Sequence, residues 1–166
     1  FENKEIYNFK DADLIYKILI EKLQDYIERI EKNIVSVIHG DFWFSNILLT
    51  YKDEYKFIDM KGLINNNKSI SGDKIYDYAK ILQSLTGFDS ILYDKEINDK
   101  YNKIFIDYFK EWLKINDPNI LFNDIQNICA LLIFGSFHAY ENMHIEKKDK
   151  IIKLIRELIN LSLSNS

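Results

Sequence analysis

The chain has 166 residues, 47% of them hydrophobic and 29% charged, with a formal net charge of −4. That length and balance suit one folded domain with its own core. The acidic balance and the lack of a Lys/Arg-rich run argue against nucleic acid and an anionic membrane surface as partners.

Cys129 is the only cysteine, which excludes an intrachain disulfide; within the apolar run "CALLIFGSF" it reads as a small buried hydrophobe. That run is too short to cross a bilayer, and no longer one follows. No signal peptide is visible at the start, so a cytoplasmic location is the default expectation. The first residue is Phe1, consistent with a piece of something longer.

In chain order, Ile15, Leu19, Leu23, Tyr26 and Ile30 fall at helical spacing and predict a helix over about residues 12–32. "IVSVIH" reads as a short β-branched strand. "NILLT" and "YKFID" read as two strands joined at "YKDE" as a hairpin. "LINNNKSISG" reads as a polar loop. "DKIYDYAKILQSL" is a helix ended by Gly87, with Asp73 at its N-cap. A second helix runs through "DKEINDKYNKIFIDYFKEWLK" and stops before Pro118. A third covers about 122–144, and "KDKIIKLIRELINLSL" is the last. The expected class is α+β, mostly helical: a helix, a small β-hairpin and a helical bundle in a single domain over residues 1–166, without repeats or linkers.

The informative stretch is "HGDFWFSN", residues 39–46. Polar groups among aromatics are costly to bury unless they have partners. Asp41 precedes the first hairpin strand, Asn46 starts it, and Asp59 ends the second. Antiparallel pairing brings those strand ends together. Two carboxylates and an amide oxygen at one end of a hairpin suit Mg2+, whose remaining positions go to water and phosphate. A carboxylate free of metal can accept a proton from a hydroxyl. The bland alternative is a polar turn with capping side chains.

This layout resembles the catalytic core of the kinase fold, in which H-R-D-x-x-x-x-N precedes a second Asp. Here the text is His39-Gly40-Asp41, four residues, Asn46, and then Asp59-Met60-Lys61-Gly62. Gly after the His resembles the aminoglycoside phosphotransferase and choline kinase-like families. Bacterial relatives in surface-polysaccharide gene clusters look especially similar. "SGDKIYDYAK" resembles their "GDxxYDLAK" segment, with Tyr78 where Leu is usual. The motif-bearing resemblance covers about residues 39–80.

The resemblance implies a protein-kinase-like C-terminal lobe whose hairpin carries the catalytic loop. Asp41 is implied to orient and deprotonate an acceptor hydroxyl. Asn46 and Asp59 are implied to hold Mg2+ against the phosphates of ATP. Asp77 and His39 are implied to support the loop. Lys61 is left to pair with a carboxylate or approach phosphate; Phe42, Trp43 and Phe44 are left to anchor the loop or wall a substrate pocket. The implied reaction is phosphoryl transfer to a small-molecule hydroxyl on a sugar or capsule precursor, a choline-like alcohol or an aminoglycoside, with sugar chemistry mildly preferred.

One departure stands out. The five glycines, Gly40, Gly62, Gly72, Gly87 and Gly135, form no Gly-rich loop, and nothing before residue 33 reads as a nucleotide-binding sheet. The expectation is a C-terminal lobe alone, either a piece of a longer protein whose nucleotide lobe lies upstream or a protein that has lost that lobe, and in either case one that by itself binds ATP poorly. The rival reading is a non-catalytic binding or scaffolding module.

His138, Glu141 and His144 lack the further ligands a zinc site needs. Trp112 and the aromatics of 101–109 are expected in the core rather than in an aromatic cage. "EKKDK" is expected as a solvated helix start.

Overall fold

The computed structural model describes residues 9–30, 36–64, 67–140 and 142–160. Six helices carry most of the described chain: α1 (Ala12–Arg29), α2 (Ile75–Leu85), α3 (Phe88–Leu92), α4 (Asp99–Asn116), α5 (Phe122–Gly135) and α6 (Ile145–Leu158). Between α1 and α2 lie three small antiparallel ribbons. β2 (Ile47–Leu49) pairs with β3 (Tyr55–Phe57), β4 (Leu63–Ile64) with β5 (Asn67–Lys68), and β1 (Ser36–Val37) with β6 (Ser71–Gly72). The expected mostly helical α+β composition is observed.

α5 is the central helix. It packs against α1, α2 and α6, which is why its sequence is apolar on nearly every side. Ile125, Cys129 and Ile133 of α5 are fully buried together with Ile15 of α1, Ala79 of α2 and Ile155 of α6. A buried aliphatic side chain of this kind contributes about 1.5–3 kcal/mol. The α1 periodicity is realised: Ile15 and Leu19 are buried, and Leu23 and Tyr26 pack against the core. The helix stops at Arg29, because Ile30 turns extended with ψ 144°. Residues 31–32 of the expected helix and the first two residues of "IVSVIH" lie outside the described residues.

The hairpin is in the expected place, with Ile47 opposite Phe57 and Leu49 opposite Tyr55. Three expectations need correction. "LINNNKSISG" is not a plain loop: its backbone forms the β4–β5 ribbon, and Ser71–Gly72 supplies β6. β1 needs a partner for its backbone groups, and Ile38 N–H also donates to Ile70 O at 2.8 Å. The third long helix does not run to 144 but ends at Gly135 and tightens into a 3-10 turn over Ser136–Tyr140. The aromatics of α4 are not all core. Phe109 is buried against Tyr78 and Phe122, whereas Tyr101, Phe105 and Tyr108 face outward. Only one stripe of α4 meets α2, so helical spacing there serves two faces.

Gly87 takes φ +81° and ends α2 as expected, but it also opens α3, too short a helix to show a period. α4 ends one residue before Asp117, whose carboxylate pairs with Lys74 and accepts the Tyr78 hydroxyl. The start of α6 is partly engaged: Lys147 bridges Asp94 at 2.6 Å and donates to Leu92 O at 3.1 Å.

Candidate functional site

The segment 39–46 crosses from β1 to β2 as an irregular loop, and the backbone of this loop is held from below by α2. Asp77, in the first turn of α2, accepts His39 N–H at 2.6 Å with Oδ2 and Gly40 N–H at 2.9 Å with Oδ1. Charge-assisted bonds to two consecutive amides fix the loop's direction. Ser84, two turns further on, takes the Phe44 N–H at 3.0 Å and gives its own hydroxyl to Asp89 at 2.7 Å. Asp73 does not occupy the N-cap of this helix, which is Lys74, but stands one residue before it, where its Oδ1 accepts Ile75 N–H at 3.0 Å.

Gly40 is required where it stands. Its φ is +78°, and a Cβ would lie 2.9 Å from Cβ of Lys61. That close approach follows from a second tie, Lys61 N–H to His39 O at 2.9 Å, which joins the loop to the segment after the hairpin.

Asp41 is held on two sides. Asn46 donates its amide N–H to the Asp41 backbone O at 2.8 Å and to Asp41 Oδ2 at 3.3 Å. Lys80 of α2 places its ammonium 3.0 Å from Asp41 Oδ1. The Lys80 side chain is 14% exposed and that of Asp41 39% exposed, so the lysine is enclosed and the carboxylate keeps an open side. Lys80 also sits 5.2 Å from the centre of the Trp43 ring.

Asn46 itself is buried, and its amide nitrogen is spent on Asp41, which leaves its oxygen for another partner. Asn46 O accepts Ile58 N–H at 3.0 Å, so the backbone of Asp59 follows directly on this bridge. Asp59 adopts φ +57°, a conformation an Asp tolerates better than most residues. Its side chain is exposed, and no cation engages it among the described residues. Among the described residues no three of His, Cys, Asp and Glu converge as a protein-only metal cage. An amide oxygen plus a carboxylate is instead the donor set that Mg2+ takes when phosphate and water complete its shell.

The aromatics divide. Phe42 packs against His39 at 5.3 Å and against Phe57 of β3 at 5.1 Å, an anchor between loop and hairpin. Trp43 lies under Lys80, and its indole N–H is buried without a partner among the described residues. Phe44 is exposed. Lys61 is exposed and makes no ion pair among the described residues. His144 is exposed; the side chain of His138 and the whole of Glu141 lie outside what the structure describes.

The burial of Tyr76, on α2 beside this site, raises its phenol above the ordinary value, and the Asp41 and Asp77 carboxylates add to the shift. Lys80 is the participant that sequence reasoning missed. Its signal was its place three residues after Asp77, on the same face of one helix.

A family model described as ecdysteroid kinase-like matches residues 2–63, a little over a third of the chain. The matched span contains His39, Asp41, Asn46 and Asp59 but stops before Asp77 and Lys80. No curated protein and no solved structure gives a match. Over residues 2–63 the chain is therefore similar to a kinase-like family.

Proposed function

We propose that the chain carries the catalytic loop of an ATP-dependent phosphotransferase acting on a small-molecule hydroxyl. The observation that carries this reading is the double hold on Asp41, by Asn46 and by Lys80, on a loop clamped by Asp77. A carboxylate fixed with one side open is suited to receive an acceptor's O–H. Asp41 takes that proton while the acceptor oxygen bonds to the γ-phosphorus and the bond to the ADP oxygen breaks. Asn46 and Asp59 would hold Mg2+, which supplies charge neutralisation at the nucleotide phosphates. The similarity over residues 2–63 supports the same reaction class. Sugars, choline-like alcohols and aminoglycosides are the acceptor classes that the motif resemblance brings with it.

The hairpin supports a second lobe. Leu49, Tyr55 and Phe57, which share one face of the hairpin, are all exposed. We place the nucleotide-binding part against this surface. The test is phosphoryl transfer from ATP by the protein as its gene encodes it, assayed against the three acceptor classes. Asp41→Asn should abolish turnover and leave thermal unfolding unchanged. Retained turnover removes Asp41 from its role.

A further inference from the structure

Helix α4 is apolar on two adjoining faces, and only one of them is used within the chain. Phe109 and Leu113 are buried, and Phe109 meets Tyr78 of α2 and Phe122 of α5. Beside that stripe, Tyr101, Ile104, Phe105, Tyr108, Trp112 and Ile115 are all exposed, from 39% at Trp112 to 78% at Ile115. At 3.6 residues per turn these positions fall within one arc of about 100°, and no charged residue of α4 falls in it. Single exposed apolar side chains are ordinary, but a contiguous patch marks an interaction surface. Among the described residues no element covers this one.

The pattern of the stripe points to its occupant. It is symmetric about Tyr108: Ile104 and Trp112 lie four residues before and after it, Tyr101 and Ile115 seven before and after. An interface between identical copies about a two-fold axis is self-complementary, so that residue i meets j and j meets i. Two α4 helices laid antiparallel, with the axis at Tyr108, satisfy this along the stripe. Tyr108 meets Tyr108 of the second copy, Ile104 meets Trp112, and Tyr101 meets Ile115. The one unlike pairing sets Phe105 against Glu111, whose aliphatic stem packs on a ring while its carboxylate keeps Lys114.

Charge does not oppose the pairing. The charged flank of α4 is paired within the helix, Lys103 and Lys110 with Asp107, and Lys114 with Glu111. Two copies therefore approach without a field of one sign between them. The area is sufficient as well. Side chains of these kinds cover roughly 200 Å2 each when fully exposed, so at the exposures seen here the stripe offers on the order of 700 Å2 per copy. Specific interfaces begin near about 600 Å2 per partner.

We propose that this face is a homodimer interface, in which α4 of one copy packs antiparallel on α4 of a second. Each copy keeps its own Asp41 loop, which is held by α2 rather than by α4.

The test is sedimentation velocity on the protein as its gene encodes it, from about 1 to 200 µM, the weak end of what an interface of this size gives. The expected result is a reversible monomer–dimer equilibrium. Tyr108→Glu sets two carboxylates against each other at the axis and should weaken the dimer more than tenfold, with unchanged circular dichroism. Ile115→Glu should weaken it likewise, and serves alone if the first variant does not fold. Leu14→Glu, at an exposed position of α1, should associate as the parent does. Crosslinking reads the geometry. A short bismaleimide should join Tyr108→Cys to its counterpart but not Ile115→Cys, whose counterpart lies roughly 20 Å away in the antiparallel pair. Cys129 is buried and gives no background. The proposal is overturned if the protein stays monomeric throughout that range, or if the folded Glu variants of α4 associate like the parent. It is equally overturned if Leu14→Glu weakens association as strongly as they do, or if Ile115→Cys crosslinks as readily as Tyr108→Cys.

Discussion

Lys80 Nζ lies 3.0 Å from Asp41 Oδ1 although 39 residues separate the two in sequence, and it rests on the Trp43 ring as it does so. The lysine is enclosed and the carboxylate is not, so the pair fixes Asp41 more than it stabilises the fold. Lys80→Ala should cost at most about 1 kcal/mol of stability, as partly exposed pairs do. If the intact protein is the phosphotransferase proposed above, the substitution should lower kcat about tenfold or more with little change in the KM for ATP. Lys80→Arg should restore part of that loss. A fall in stability without a kcat effect would make the lysine merely structural.

Asp77 accepts two loop amides, and nothing else among the described residues takes them. Asp77→Ala should therefore cost about 3 kcal/mol, because it leaves two donors without an acceptor that was charged. Urea denaturation reads this directly. Asp77→Asn should cost less, since one amide oxygen still accepts one N–H. Equal stability of Asp77→Ala and the parent would show that the loop does not depend on α2.

Acid should loosen the link between α2 and the end of α4. Burial acts to raise the Asp117 carboxyl, but the Lys74 and Tyr78 hydrogen bonds outweigh it and hold the carboxyl below its ordinary value. A depressed folded pKa gives stability that is complete above the unfolded carboxylate range, about pH 4. That stability is lost as pH falls through the lower folded value. Asp117→Asn should therefore be less stable than the parent by about 1–3 kcal/mol at pH 6, the range for hydrogen bonds to charged groups. The difference should shrink as pH falls below the unfolded carboxylate range and through the lowered folded value. A difference independent of pH would assign the loss to packing.

Cys129 is fully buried in α5, and burial raises its thiol far above the ordinary value. It should not react with a thiol reagent such as dithionitrobenzoate in the folded protein, and should react fully in denaturant. Rapid labelling under native conditions would show that α5 is not the packed centre of the fold.

The helices and the hairpin were legible because each carries its own local signal. Ile15 and Leu19 repeat at helical spacing, and "YKDE" marks a turn between alternating strands. The site residues from His39 to Asp59 stand close together in sequence, so their grouping was visible before any fold. Three kinds of feature were hidden. β4, β5 and β6 are short polar ribbons made by backbone pairing, which side-chain pattern does not record. The outward aromatics of α4, such as Tyr108, look like core until the helix is seen to meet α2 and the start of α5 along one stripe alone. The place of Lys80 beside Asp41 exists only through tertiary packing, with α2 lying under the loop.

The most direct measurement is Mg2+-dependent ADP release from ATP by the protein as its gene encodes it, in parallel with Asp41→Asn and Asp59→Ala. The account predicts turnover in the parent, a loss of at least about a hundredfold in each variant, and unchanged unfolding temperatures. The 166-residue chain by itself should turn over poorly. Turnover that survives both substitutions, or an intact protein that neither binds nor hydrolyses ATP, would contradict it.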